Sequence, residues 1–134
     1  MYNMKPLTVE WTTGDSVERS EIETWEEANT LIERAASRSD HPLIMEFFSP
    51  DSGQSLALGI GLNSTVVTYQ ESLDPPYFIS LGDKEALGTE WFRYGGEETE
   101  YLARNLVSTN KGMDALKQFV INRMQPGNLE WERL

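Results

Sequence analysis

Apolar residues recur every three or four positions between Trp25 and Arg38, where Trp25, Ala28, Leu31, Ile32, Ala35 and Ala36 fall on one stripe. The spacing predicts a helix whose stripe must meet a sheet or another helix. Its start is marked by Thr24 with Glu27 three residues on, a capping box in which each side chain satisfies the other's backbone N–H. Glu26 and Glu27 stand at the positive end of the helix dipole, and Arg34 and Arg38 stand near the negative end. A second helix is expected after Thr109, with Met113, Leu116, Phe119 and Val120 inside, ending before Pro126-Gly127, which cannot continue it.

Between these helices the period changes to that of strands. Leu43-Ile44-Met45-Glu46-Phe47-Phe48 is a β-type run closed by the turn-forming Ser49-Pro50-Asp51-Ser52-Gly53. Leu56, Leu58, Ile60 and Leu62 then alternate with Ala57, Gly59 and Gly61, so one strand face is bulky and the other nearly bare. Gly59 and Gly61 are expected to thin the sheet where a helix or a large aromatic comes close to the backbone. Asn63-Ser64 turns the chain into Thr65-Val66-Val67-Thr68-Tyr69, completing a hairpin. Tyr77–Leu81 and Trp91–Tyr94 are further strands, and Gly95-Gly96 supplies the positive φ angles for a tight turn into Thr99–Leu102. The alternating tail Leu129–Arg133 closes the sheet. The order strand, helix, several strands, helix, strand predicts an α+β fold: one antiparallel sheet of about six or seven strands with two helices packed on one face. Residues 1–134 fit a single domain, with no internal repeat, low-complexity tract or linker.

Composition narrows the function. Hydrophobic residues make up 39% of the chain, with aromatics along its whole length, which is enough apolar mass for a folded core. With no cysteine there is no thiolate nucleophile, disulfide or cysteine-based metal site, and a reducing cytoplasm suits the chain. Met1 to Leu7 has no apolar run of signal-peptide length, and no stretch approaches the roughly 18 apolar residues of a membrane span. A cytoplasmic protein without membrane contact is therefore expected, which deprives the sequon Asn63-Ser64-Thr65 of meaning. The 11 basic and 22 acidic residues give a net charge of -11, which repels nucleic acid and anionic lipid and steers cationic partners. The acids fall in two groups, Glu10 to Glu27 and Asp83 to Glu100. A solvated, solubilising face would account for them as well as a binding surface would.

Catalytic sets are sparse. His41 is the one histidine, placed between Asp40 and Pro42 in a helix-to-strand connector with no evident nucleophile. Phe78-Ile79-Ser80-Leu81-Gly82 lacks the first glycine of a nucleophile elbow and leads into no helix, so Ser80 reads as an ordinary strand-end residue. Gly59-Ile60-Gly61 precedes a strand, whereas a dinucleotide loop must open a helix. Close carboxylate pairs are expected by chance among 22 acids. One histidine, no cysteine and no calcium-loop pattern point to no metal site. No catalytic residue and no cofactor are expected. The distinctive region is Gly82 to Tyr101, where Trp91, Tyr94 and Tyr101 are interleaved with Asp83, Glu85, Glu90, Glu97, Glu98 and Glu100. It is either an edge hairpin with aromatics inside and acids in water, or a protein-binding surface of aromatic anchors ringed by charge.

Gly59-Ile60-Gly61, the hairpin valines, Asp74-Pro75-Pro76-Tyr77, Gly82-Asp83, Tyr94-Gly95-Gly96, Arg104-Asn105-Leu106 and Leu129-Glu130-Trp131 together resemble the first-named immunity-protein family of bacterial polymorphic toxin systems. The resemblance runs from about Leu43 to the C-terminus. It implies an α+β protein, without cofactor or turnover, that binds a cognate toxin domain and protects the producing cell or its siblings, as in contact-dependent inhibition. Family toxins include nucleic-acid cytidine deaminases, whose zinc-water pocket receives a base and is flanked by cationic surface. An acidic protein can cover such a pocket, by occluding either the active site or the substrate surface. Gly95-Gly96 and Arg104-Asn105 are assigned to architecture. The expected toxin contacts are Asp83, Glu90, Trp91, Glu97, Glu98 and Glu100, with Asp74 and Tyr77 as outer candidates, and a monomer is expected. The alternative is an acidic adaptor for a different partner. A hydrolase using an Asp/Glu pair is a third reading, which two carboxylates converging in a deep pocket would support.

Overall fold

The computed structural model describes residues 5–134, so Met1 to Met4, part of the segment read for a leader, lie outside the described residues. Along the chain run β1 (Leu7–Thr13), β2 (Ser16–Ile22), α1 (Trp25–Arg38), β3 (Leu43–Phe48), β4 (Ser55–Ile60), β5 (Ser64–Thr65), β6 (Val67–Gln70), β7 (Tyr77–Leu81), β8 (Thr89–Tyr94) and β9 (Glu97–Leu102). A 3₁₀ turn (Ala103–Asn105), β10 (Val107–Ser108), α2 (Thr109–Asn122) and β11 (Glu130–Arg133) complete it. The main sheet has nine strands, seven of them in the order β11-β7-β6-β4-β3-β1-β2, with the β8–β9 hairpin joined to β3. Every pairing in it is antiparallel except one parallel bridge between Leu43 and Arg93. β5 and β10 form a separate two-stranded ribbon.

This α+β architecture matches the expected class, but six or seven strands was an undercount. β2 reads Ser-Val-Glu-Arg-Ser-Glu-Ile and buries only Ile22, so no apolar alternation marks it; its pairing with β1 does. The run Thr65–Tyr69 is also two strands rather than one, interrupted at the buried Val66, whose carbonyl accepts from Gly59 N at 3.0 Å.

Both helices pack on the same sheet face. Leu7, Val9, Leu43, Met45, Phe47, Leu56 and Leu58 point there, against Ala28, Leu31, Ile32 and Ala35 of α1 and Ala115, Leu116, Phe119 and Val120 of α2. Each fully buried Leu or Phe contributes about 1.5–3 kcal/mol. α1 starts in the predicted box: Glu27 N donates to Thr24 Oγ1 at 3.2 Å, and Glu27 Oε1 accepts from Thr24 N at 3.1 Å. α2 is capped by Ser108, whose hydroxyl accepts from Lys111 N at 3.2 Å. It ends before the Pro-Gly pair is reached, because Arg123 turns left-handed at φ 54. That turn is held by Arg123 Nε donating to Val120 O at 3.2 Å and by the Arg123 carbonyl accepting from Gln54 Nε2 at 2.7 Å.

The opposite face carries a smaller cluster of Ile44, Ala57, Val66, Ile79 and Phe92, with Tyr101 and Leu106 packed beside it. Phe92 comes from β8, which folds the β8–β9 hairpin over this face. A Cβ at Gly59 would lie 2.6 Å from Phe92 Cε1, so the bare strand face does admit a large aromatic. Gly61 does not share that role. It follows β4 with φ +105, and a Cβ there would lie 2.9 Å from Pro42 Cα.

Candidate functional site

Strand alternation decides what the hairpin shows to solvent. Phe92 is fully buried, so its neighbour Trp91 must point outward, and it is 48% exposed. Register then sets Trp91 opposite Glu100 and Arg93 opposite Glu98 on the outer side, with Thr89 opposite Leu102 at the end. Arg93 Nη2 reaches Glu98 Oε1 at 3.2 Å. Leu102, one pair along from Trp91 on the same side of the ladder, is exposed as well, with Glu98 and Glu100 on that side too. The hairpin turn is made by Gly95 and Gly96 at φ 60 and 87, as the two-residue loop requires.

The inner side of the hairpin joins the two acidic groups of the sequence. Tyr94 donates its hydroxyl to Glu46 on β3. Glu46 lies directly opposite Glu10 of β1, and Arg19 Nη2 answers Glu10 at 2.7 Å. Like charges set opposite each other across strands repel, so the Tyr94 donor and the Arg19 cation offset a built-in cost. Burial first, and then the Glu46 carboxylate, push the Tyr94 phenol above its ordinary 10; burial raises Tyr101 too. Glu46, Tyr94 and Tyr77 line one cavity of about 210 Å³ with Ser55, Thr68 and Gln70.

The expected contact residues therefore divide. Trp91, Glu97, Glu98 and Glu100 are exposed on the hairpin, and Glu90 is half-buried opposite Tyr101. Tyr77 is brought to the cavity beneath Tyr94, with its hydroxyl donating to the Leu73 carbonyl. Asp74 sits in the preceding loop, where its N–H donates to Ser72 Oγ at 3.2 Å. Asp83 occupies a different cleft, of about 450 Å³, with Gly82, Val107, Lys111, Asn128 and Glu130, and its carboxylate accepts from Glu85 N at 2.9 Å. Glu10, Glu46 and Tyr94 were not among the expected contacts. The legible signal was Glu46 itself, a lone acid inside an otherwise apolar strand.

The other candidates are structural. Ser80 is fully buried, accepting from Val67 N at 3.0 Å and donating to Asn105 O at 2.7 Å. Asn105 Nδ2 donates to Ser80 O at 2.9 Å and to Glu132 Oε1 at 3.0 Å, and Arg104 pairs with Glu132. Arg104-Asn105 thus ties the 3₁₀ turn to β7 and β11. His41 Nδ1 meets Asp40 Oδ1 at 2.8 Å, which holds the Asp40 carboxyl below its usual range. The adjacent Ser39 hydroxyl donates to the His41 carbonyl, so it is not aligned on the imidazole as a nucleophile. Among the described residues no group of three or more His, Asp or Glu side chains could hold a metal ion, and no helix is long and apolar enough to cross a membrane.

Compared with known protein families, the family model described as Immunity protein Imm1 matches residues 17–133. The chain belongs to the Imm1 immunity-protein family. The match reaches back past Leu43 into β2 and α1, so the Imm1 unit includes the helix-capped half of the sheet as well as the outer hairpin. No curated protein matches the chain. As an Imm1 member, the chain is an immunity protein, and its partner class is a cognate toxin protein.

Proposed function

We propose that the chain, acting as one non-catalytic binding unit over residues 1–134, neutralises a cytidine-deaminase toxin in the bacterial cytoplasm by covering its cationic substrate surface. The observation that carries this reading is the outer hairpin of an Imm1 protein, where an exposed Trp91 is flanked by Glu98 and Glu100. Aromatic anchors in a charged ring supply most interface energy, and a net charge of -11 steers the approach of a basic partner while keeping copies of the chain monomeric. Glu97 extends the surface at the hairpin turn, whereas Glu90 points to the inner side with Phe92, and Asp83 and Asp74 lie outside its centre.

The test is to mix the purified chain with the toxin domain encoded by the adjacent gene. A stoichiometric complex and loss of deamination are expected, and association should slow as salt rises, because exposed charges are screened within about 8 to 10 Å at physiological ionic strength. No complex contradicts the reading. A complex with a different basic protein instead would favour the adaptor alternative.

A further inference from the structure

The outer hairpin is not the only open surface. β2 lies at the end of the sheet and pairs only with β1, so alternate backbone N–H and C=O groups along its seven residues face outward without a strand partner among the described residues. Seven residues span about 23 Å of edge at roughly 3.3 Å each. No proline interrupts it, and its side chains are exposed except toward Ile22. Such an edge is a template for an added strand unless charge forbids it.

Charge here forbids one occupant and favours another. Glu18 and Glu21 stand on the edge with no ion pair among the described residues, while Arg19 is already taken by Glu10. A second copy of this chain would bring a further net charge of -11 to the same edge. A basic strand would meet its complement. The edge continues into a groove of about 340 Å³ between β2 and α1, floored by Ile22 and Leu31 and rimmed by Ser20, Glu26 and Thr30, with Arg34 at its far end. Glu26 has no ion pair among the described residues and lies eight positions before Arg34, about 12 Å along the helix axis. An apolar floor below a carboxylate rim fits the stem and head of a Lys or Arg side chain.

We infer that the outer edge of β2 and the groove under α1 take an added β-strand from the toxin, an extended segment with basic side chains at alternate positions. This rests on the proposed toxin-binding function and adds a second contact. Main-chain hydrogen bonds to β2 give affinity, and Glu18 and Glu26, both on the helix side of the sheet, select the basic side chains.

Hydrogen exchange of the whole chain, free and bound to the adjacent-gene toxin, tests it. Exchange over residues 16–22 should slow at least about tenfold in the complex, as for amides newly hydrogen-bonded. Glu18→Lys/Glu26→Lys should weaken binding at least about tenfold, while circular dichroism and Tm show the fold kept. The exchange measurement on the unsubstituted chain stands even if the variant misfolds. A tight complex in which residues 16–22 exchange as in the free chain overturns the added strand and leaves the proposed function standing. No complex at all overturns the function, and this inference with it. A free chain that sediments as a dimer with β2 already protected assigns the edge to a second copy.

Discussion

The two faces of the sheet are covered in different ways. One face is sealed by two amphipathic helices over a continuous apolar layer from Leu7 to Phe119. The other is crossed by a single hairpin whose grip is Phe92 seated on Gly59, with only a small cluster around it. The rest of that second face is left to Glu10, Glu46, Tyr94 and their donors. Apolar area sets stability and is concentrated under the helices, whereas the hairpin side spends its surface on charge and one exposed tryptophan. The helix side thus carries most of the stability, and the exposed Trp91 of the outer hairpin lies on the other face.

The largest effect should come from the helix side. Phe119→Ala removes a fully buried ring that packs edge-on to Tyr69 at 6.0 Å, and it should cost about 3–5 kcal/mol in urea unfolding. A loss below about 1 kcal/mol would contradict the division between faces.

Next is the hairpin's seat. Gly59→Ala places a Cβ 2.6 Å from Phe92 Cε1, so the ring must shift, and overpacking of this kind costs about 1–3 kcal/mol. The change should be visible as new amide shifts through β8 and β9 in NMR spectra, with α1 and α2 unaffected. Shifts spread evenly over both faces would show that the two clusters are coupled.

The smallest effect is a titration. Tyr69 is pushed up to about 12 by burial first and by its donation to Glu71, and Tyr94 and Tyr101 also lie above 10. A raised phenol binds its proton more tightly in the folded chain, so its contribution is complete below the unfolded value near 10 and is lost as pH rises through the folded value. Absorbance at alkaline pH should therefore show delayed ionisation of these three tyrosines, with stability falling from pH 10 to about 12 for Tyr69. Glu46→Gln should advance Tyr94 and leave Tyr69 unchanged, since Tyr94 donates to Glu46 and Tyr69 to Glu71.

What the sequence showed depended on how local each cause was. α1 was legible to both ends because its stripe, box and dipole charges lie within fifteen residues. The thinning at Gly59 was visible, though not that Phe92, 33 positions later, would fill it. β2 was hidden because an edge strand wet on both faces has no apolar period. That α2 ends before Pro126-Gly127 was legible, but not that Arg123 ends it at φ 54 through contacts with Gln54 and Lys5, far away in the chain. For the candidate site, composition marked the acids and alternation turned Trp91 outward, but only sheet register sets Glu10 against Glu46. Asp83 looked equivalent to the hairpin acids in sequence, with Asp74 an outer candidate, yet they are held in a separate cleft and loop.

The most direct measurement is the affinity of Glu97→Lys/Glu98→Lys/Glu100→Lys for the adjacent-gene toxin, alongside its unfolding free energy. These side chains are exposed, and the Arg93–Glu98 pair is a surface contact, so stability should change by less than about 1 kcal/mol. Binding should weaken at least about tenfold, mainly through slower association. Unchanged affinity in a folded variant would contradict the assignment of toxin recognition to the outer hairpin.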